Sequence, residues 1–127
     1  MEERKTTILL VEDDNDIRAL TRDILFRAGY TVLEAANGCD AVRICQDAQI
    51  PRIDLLLSDV SMPNMSGPKL MRLASPLRPG MKVLFMSGHA ANSSLEGIDL
   101  HGVRWMWKPF TIKEVTEKIR EVLSGAP

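Results

Sequence analysis

The chain is 127 residues long and 45% hydrophobic, enough for one domain with a buried core and no covalent staples. Lys and Arg number 16 against 17 Asp and Glu, a formal net charge of −1, so nothing calls for nucleic acid or an anionic membrane surface. No apolar run approaches the roughly 20 residues that span a bilayer. The start Met1-Glu2-Glu3-Arg4-Lys5 lacks the apolar core of a signal peptide. Cys39 and Cys45 fall in a predicted helix where they cannot meet bridge geometry. The expectation is a single domain over residues 1–127, reduced and cytoplasmic.

Thr6 to Val11 is rich in β-branched and aliphatic residues and runs into Glu12, Asp13 and Asp14, a strand with a charged carboxyl end. With Asp14 or Asn15 as N-cap, Ile17, Leu20, Ile24, Leu25 and Ala28 have helical spacing, and Gly29 stops the helix. Tyr30 to Ala35 is a second strand. Asn37-Gly38 opens a second helix, with Ala41, Val42, Cys45 and Ala48 as its inner face and Pro51 as punctuation. Ile53 to Ser58 contains Leu55-Leu56-Leu57, apolar on both faces as a buried parallel strand is, and delivers Asp59 to its end. Pro63 to Pro68 reads as a loop. Leu70, Met71, Leu73 and Ala74 then make a short helix that Pro76 and Pro79 terminate.

Met81 to Met86 is a fourth strand, followed by Ser87-Gly88-His89. Ala90 to Gly102 should be a fourth helix of poor intrinsic propensity, given Asn92, Ser93, Ser94 and Gly97. Val103 to Trp107 is a fifth strand that closes on Lys108-Pro109-Phe110. Trp105 and Trp107 alternate with Met106, so core packing is expected for at least one of the two rings. Thr111 and Glu114 have the spacing of a capping box, and Val115, Ile119, Val122 and Leu123 form the buried stripe of a fifth helix.

Strands alternating with helices predict an α/β fold: a five-stranded parallel sheet covered on both faces, flavodoxin-like, in the order 2-1-3-4-5. In that order Glu12, Asp13 and Asp59 share one cleft, with Ser87 and Lys108 on the same edge. Carboxylates gathered without a counter-charge repel by about 4 kcal/mol per pair at ~4 Å and an effective dielectric near 20. Hard oxygen ligands open to water suit Mg²⁺, and no His or Cys cluster has zinc spacing. Asp59 is the candidate nucleophile and phosphoacceptor, Lys108 the cation for one phosphoryl oxygen and Ser87 the donor to another.

Leu10-Val11-Glu12-Asp13-Asp14, Asp59 with Met62-Pro63 and Ser66-Gly67, Met86-Ser87-Gly88 and Lys108-Pro109-Phe110 together resemble the receiver domains of two-component response regulators. The resemblance implies that Asp59 takes phosphate from a histidine kinase or phosphotransfer domain. It implies Mg²⁺ held by Glu12, Asp13, Asp59 and the Ser61 backbone carbonyl, and an X-Pro bond, often cis, at Lys108-Pro109. It also implies that Ser87 and the ring at position 105 couple phosphorylation to a protein-binding surface of helix four, strand five and helix five. Trp105 stands where the family usually has Tyr or Phe, and Ser87 where Thr is frequent. Run Leu84 to Gly88 looks like the receivers of hybrid sensor histidine kinases, leaving stand-alone and kinase-borne contexts level. The implied unit is not an enzyme beyond phosphoryl transfer to and hydrolysis from its own Asp59. It acts as a monomer or weak dimer, without nucleic acid or membrane.

Three other readings fit less well. A haloacid-dehalogenase-type hydrolase would carry a second Asp at position 61, which is Ser61, and a Rossmann nucleotide-binding domain would need G-x-G-x-x-G after the first strand. A protein-binding module that has lost phosphorylation is the serious rival, although every expected chemical group is present. His89, close to the expected site mouth, is a candidate modulator of water access to the phosphoaspartate.

Overall fold

A computed structural model describes residues 5–88 and 104–125. The elements are β1 (Thr7–Val11), α1 (Asn15–Arg27), β2 (Thr31–Ala35), α2 (Gly38–Gln46), β3 (Leu55–Asp59), α3 (Gly67–Ala74), β4 (Lys82–Ser87), β5 (Arg104–Trp107) and α4 (Ile112–Ser124). Here α4 is the helix that the sequence placed fifth. The expected fourth helix, Ala90 to Gly102, and both His89 and His101 lie outside the described residues. Every strand pair is parallel and the order is β2-β1-β3-β4-β5, as expected.

All five residues of β3 are buried, because its neighbours β1 and β4 flank it and helices cover both sides. Alternation along the strands divides the core in two. Ile8, Leu10, Leu55, Leu57, Leu84 and Met86 face α1 and α4, where Leu25, Val115 and Ile119 meet them. Leu9, Val11 and Leu56 face α2 and α3, meeting Ala41, Cys45, Leu70 and Ala74. Each fully buried Leu contributes about 1.5–3 kcal/mol relative to exposure.

The helix ends follow their local chemistry. Asp14 caps α1, its Oδ1 accepting from the N–H groups of Asp16 at 2.9 Å and Ile17 at 3.0 Å. Gly29, at φ +96°, ends it, with the N–H of Tyr30 donating to the Leu25 carbonyl at 3.1 Å. Thr111 and Glu114 form the expected capping box on α4.

Several inner faces differ from expectation. On α1 the buried residues are Thr21 and Leu25, while Leu20 is 63% exposed. Helical spacing marks a stripe but not which part of it a sheet covers. Ala48 lies beyond the end of α2. Helix α3 begins at Gly67, inside the expected loop, since Ser66 caps it and Pro68 is tolerated in a first turn; Leu73 points outward.

The Arg78 guanidinium ties three carbonyls at the end of α2: Cys45 at 2.9 Å from Nε, Ile50 at 2.8 Å from Nη1 and Asp47 at 2.8 Å from Nη2. Charge-assisted bonds of this kind are worth about 1.5–3 kcal/mol each before entropy is counted. Arg78→Ala is expected to lower unfolding free energy in urea by about 2–4 kcal/mol. Arg78→Lys should recover little, because an ammonium cannot span three acceptors set out for a planar fork.

Candidate functional site

Register brings the acids together. Val11 pairs with Ser58 and Asp59 with Met86, so the residues just past β1 and at the end of β3 emerge side by side at the carboxyl edge of the sheet. Carboxylate oxygens of Glu12, Asp13 and Asp59 all lie within 4.8 Å of one another. Ser87 pairs with Trp107 across β4 and β5, and the Lys108 N–H donates to the Ser87 carbonyl at 2.7 Å. The Lys108-Pro109 bond is cis. The side chain of Lys108 then turns into the acidic cleft.

Its ammonium donates to Glu12 Oε1 at 2.7 Å and to Asp59 Oδ2 at 2.9 Å. The carboxylates therefore do have a counter-charge, which corrects the expectation of uncompensated repulsion. Burial pulls the Lys108 pKa down, but the hydrogen bonds to Glu12 and Asp59 outweigh it and leave the group above its ordinary value. Lys108 is thus a fixed cation.

Glu12 is 1% exposed, with its second oxygen, Oε2, accepting from the Asp14 N–H at 3.3 Å. Its main-chain carbonyl accepts from Arg18 Nη1 at 2.9 Å. Burial raises its pKa to about 6, opposed by the Lys108 hydrogen bond and assisted by the Asp59 charge. The folded state therefore holds a proton that the unfolded chain releases at a lower pH. Stability from this group is full below about 4.5 and is lost as pH rises through about 6. In chelated buffer this slope should amount to about 2 kcal/mol, and urea titrations of Glu12→Gln over the same range should lack it.

Asp13 is exposed at the mouth, whereas Asp59 is 7% exposed. Asp59 Oδ1 accepts from the N–H of exposed Ser61 at 3.2 Å. Gly67 packs against the end of β3. A Cβ there would stand 2.6 Å from the Asp59 carbonyl oxygen and 2.9 Å from the Phe85 ring, so only glycine lets α3 start this close to the end of β3. Among the described residues, the fully buried Ser87 hydroxyl makes only a long 3.4 Å contact, to the Gly88 carbonyl, and can be recruited by a better acceptor.

Hard carboxylate oxygens, one of them from an exposed residue, fit a dication that keeps part of its water shell, as Mg²⁺ does. Beside Lys108 opens an apolar trough of about 390 Å³ formed by α1 and the Pro109-Phe110 turn, with Ile17 and Leu20 on its wall. Neither tryptophan enters the core. Trp105 is half-buried and Trp107 is 41% exposed, while Met106 between them packs inward. Among the site's supports, the sequence reading did not single out Arg18. A basic residue one turn into the helix that follows an acidic strand end was the available signal.

The response regulator receiver domain family matches residues 8–120. Response regulator receiver protein CpdR of Brucella abortus (strain 2308) is 35% identical over 120 residues, covering 94% of this chain and 98% of its own length. Sensor kinase CckA of the same organism is 35% identical over 118 residues, covering 92% of this chain but 12% of its own. The crystal structure of the receiver domain from hybrid histidine kinase CckA is similar at TM-score 0.76 and 34% identity, over 92% of this chain and 98% of that one. The receiver domain of sensor histidine kinase PA1611 from Pseudomonas aeruginosa PAO1, with a magnesium ion coordinated in its active site cleft, shares the fold at TM-score 0.81 and 23% identity, over 95% and 99% of the two chains. A family match over most of the length, joined to an acidic cleft on a 2-1-3-4-5 sheet, places this chain among the response regulator receiver domains, the receiver units of two-component phosphorelays.

Proposed function

We propose that Asp59 accepts the phosphoryl group of a phosphohistidine carried by a histidine kinase or phosphotransfer domain. The observation that carries this reading is the clasp of Asp59 by Lys108 at 2.9 Å within a cluster of three carboxylates. An Asp59 carboxylate oxygen attacks phosphorus in line. The P–N bond breaks, its electron pair returns to the imidazole nitrogen, and that nitrogen later takes a proton from water.

Lys108 releases an oxygen of Asp59 and follows the phosphoryl oxygens, and the Ser87 hydroxyl exchanges its long contact with Gly88 for one of them. Glu12, Asp13, Asp59 and the Ser61 carbonyl would hold Mg²⁺, which when bound neutralises phosphoryl charge. The PA1611 receiver, which has the same fold, coordinates a magnesium ion in its active site cleft. A donor must cover the rim of the cleft, and the trough between Ile17, Leu20 and Phe110 supplies an apolar seat beside Lys108.

Residues 1–127 act as one receiver unit. Its only catalysis is phosphoryl transfer to, and hydrolysis from, its own Asp59. Ser87 and Trp105 then bias the surface of β5, α4 and the segment expected as the fourth helix toward a downstream protein partner, with the unit a monomer or weak dimer. The exchange takes place in the cytoplasm. Relatives include both a short regulator and a kinase-borne receiver, and chemistry at Asp59 is common to the two.

The rival reading, a binding module without phosphorylation, separates cleanly by intact mass. With acetyl phosphate the chain should gain one phosphoryl group in Mg²⁺ and none in EDTA. An unchanged mass in both buffers would favour the module.

A further inference from the structure

Trp105 and Trp107 stand on the same side of the edge strand β5, their ring centroids 4.6 Å apart and their planes at 83°. Two rings at nearly a right angle make an aromatic corner. The corner opens on a groove of about 430 Å³ whose other wall is α4, bearing Glu114, Glu117, Lys118 and Glu121.

The charges of that wall are unevenly spent. Glu121 pairs with Arg104 at 2.6 Å and with Lys118 at 3.7 Å, which uses both cations. Glu114 accepts from the Thr111 N–H at 3.0 Å in the capping box. Glu117 is exposed and has no partner among the described residues. The groove is thus aromatic on one side and net acidic on the other.

A flat cation satisfies both sides, lying on the electron-rich face of an indole while its edge donates to a carboxylate. We infer that this corner takes the guanidinium of an arginine from a segment of a protein partner. The inference rests on the receiver reading, in which this face carries the output, and adds the chemistry of the occupant. An acidic membrane surface or nucleic acid would meet like charge here. A second copy in a two-fold contact would set Glu117 against the acids of its own kind.

The test pans a random dodecapeptide phage library against the full chain, with and without beryllofluoride and Mg²⁺. Arginine-bearing peptides should be enriched in at least one state, and Glu117→Gln should weaken them by about tenfold. Glu117→Lys should invert the selection toward acidic peptides. Apolar or acidic winners on the wild type, winners indifferent to both variants, or no winners at all would overturn the inference, as would a dimer that Glu117→Lys dissolves. Phosphoryl uptake from acetyl phosphate is measured on the same preparations. Normal uptake with a failed selection sinks this inference alone, and absent uptake sinks the receiver reading on which it rests.

Discussion

After incubation with acetyl phosphate and Mg²⁺, Asp59→Asn is expected to show no phosphoryl adduct by intact mass, against one for the wild type. The amide is isosteric but lacks the anionic oxygen that attacks phosphorus and expels acetate. Neither Glu12 nor Asp54 can take over. Glu12 is 1% exposed and its two carboxylate oxygens are engaged by Lys108 and the Asp14 N–H, and Asp54 belongs to the start of β3, where its side chain accepts from the Thr7 N–H at 2.8 Å. An adduct on the variant would move the acceptor to Asp13. The same substitution removes one of three clustered carboxylates, two of which share Lys108, so in chelated buffer it should melt slightly above wild type. The gain is smaller than for an unopposed cluster, because the Lys108 contact is lost as well. A lower melting point would contradict the charge argument.

Lys108→Met is expected to have the largest effect on stability. It keeps the volume of the side chain but leaves Glu12 and Asp59 buried side by side without their shared cation. Removing one partner of a buried ion pair costs about 3–5 kcal/mol. Without the Lys108 hydrogen bond the Glu12 carboxyl should be held still further above about 6, so the loss of stability with rising pH should deepen and move to higher pH. Urea unfolding at pH 8 should therefore show a loss of about 3 kcal/mol, and at pH 5, where Glu12 is protonated, much less. Equal losses at the two pH values would mean that packing, not charge, is the contribution of Lys108.

The fold was legible because its signals are local. The Leu55-Leu56-Leu57 run, the cap at Asp14, the stop at Gly29 and the box at Thr111 and Glu114 each act within a few residues, and crossover handedness orders the strands. The meeting of Glu12, Asp13 and Asp59 followed from that order. What escaped depends on distances between elements. Lys108 is 96 residues from Glu12, and no pattern says that its ammonium bridges two acids rather than waiting beside them. Leu20 and Trp107 carry core chemistry outside the core. Periodicity identifies an apolar face without stating whether the fold has an element to set on it. No local pattern marks Arg78, whose role depends on three carbonyls supplied by a separate stretch of chain.

The sheet is a partition as well as a platform. Leu56 and Leu57 are neighbours along the backbone, yet their side chains live in separate compartments, Leu56 with Leu70 and Leu57 with Ile119. Damage should respect that wall. Truncations to Ala at Leu56 and Ile119 should combine additively in unfolding free energy, while those at Leu57 and Ile119, distant in the chain, should show a coupling of about 0.5 kcal/mol or more. Each layer can thus be repacked by mutation with little consequence for the other, so long as the strand between them keeps its register.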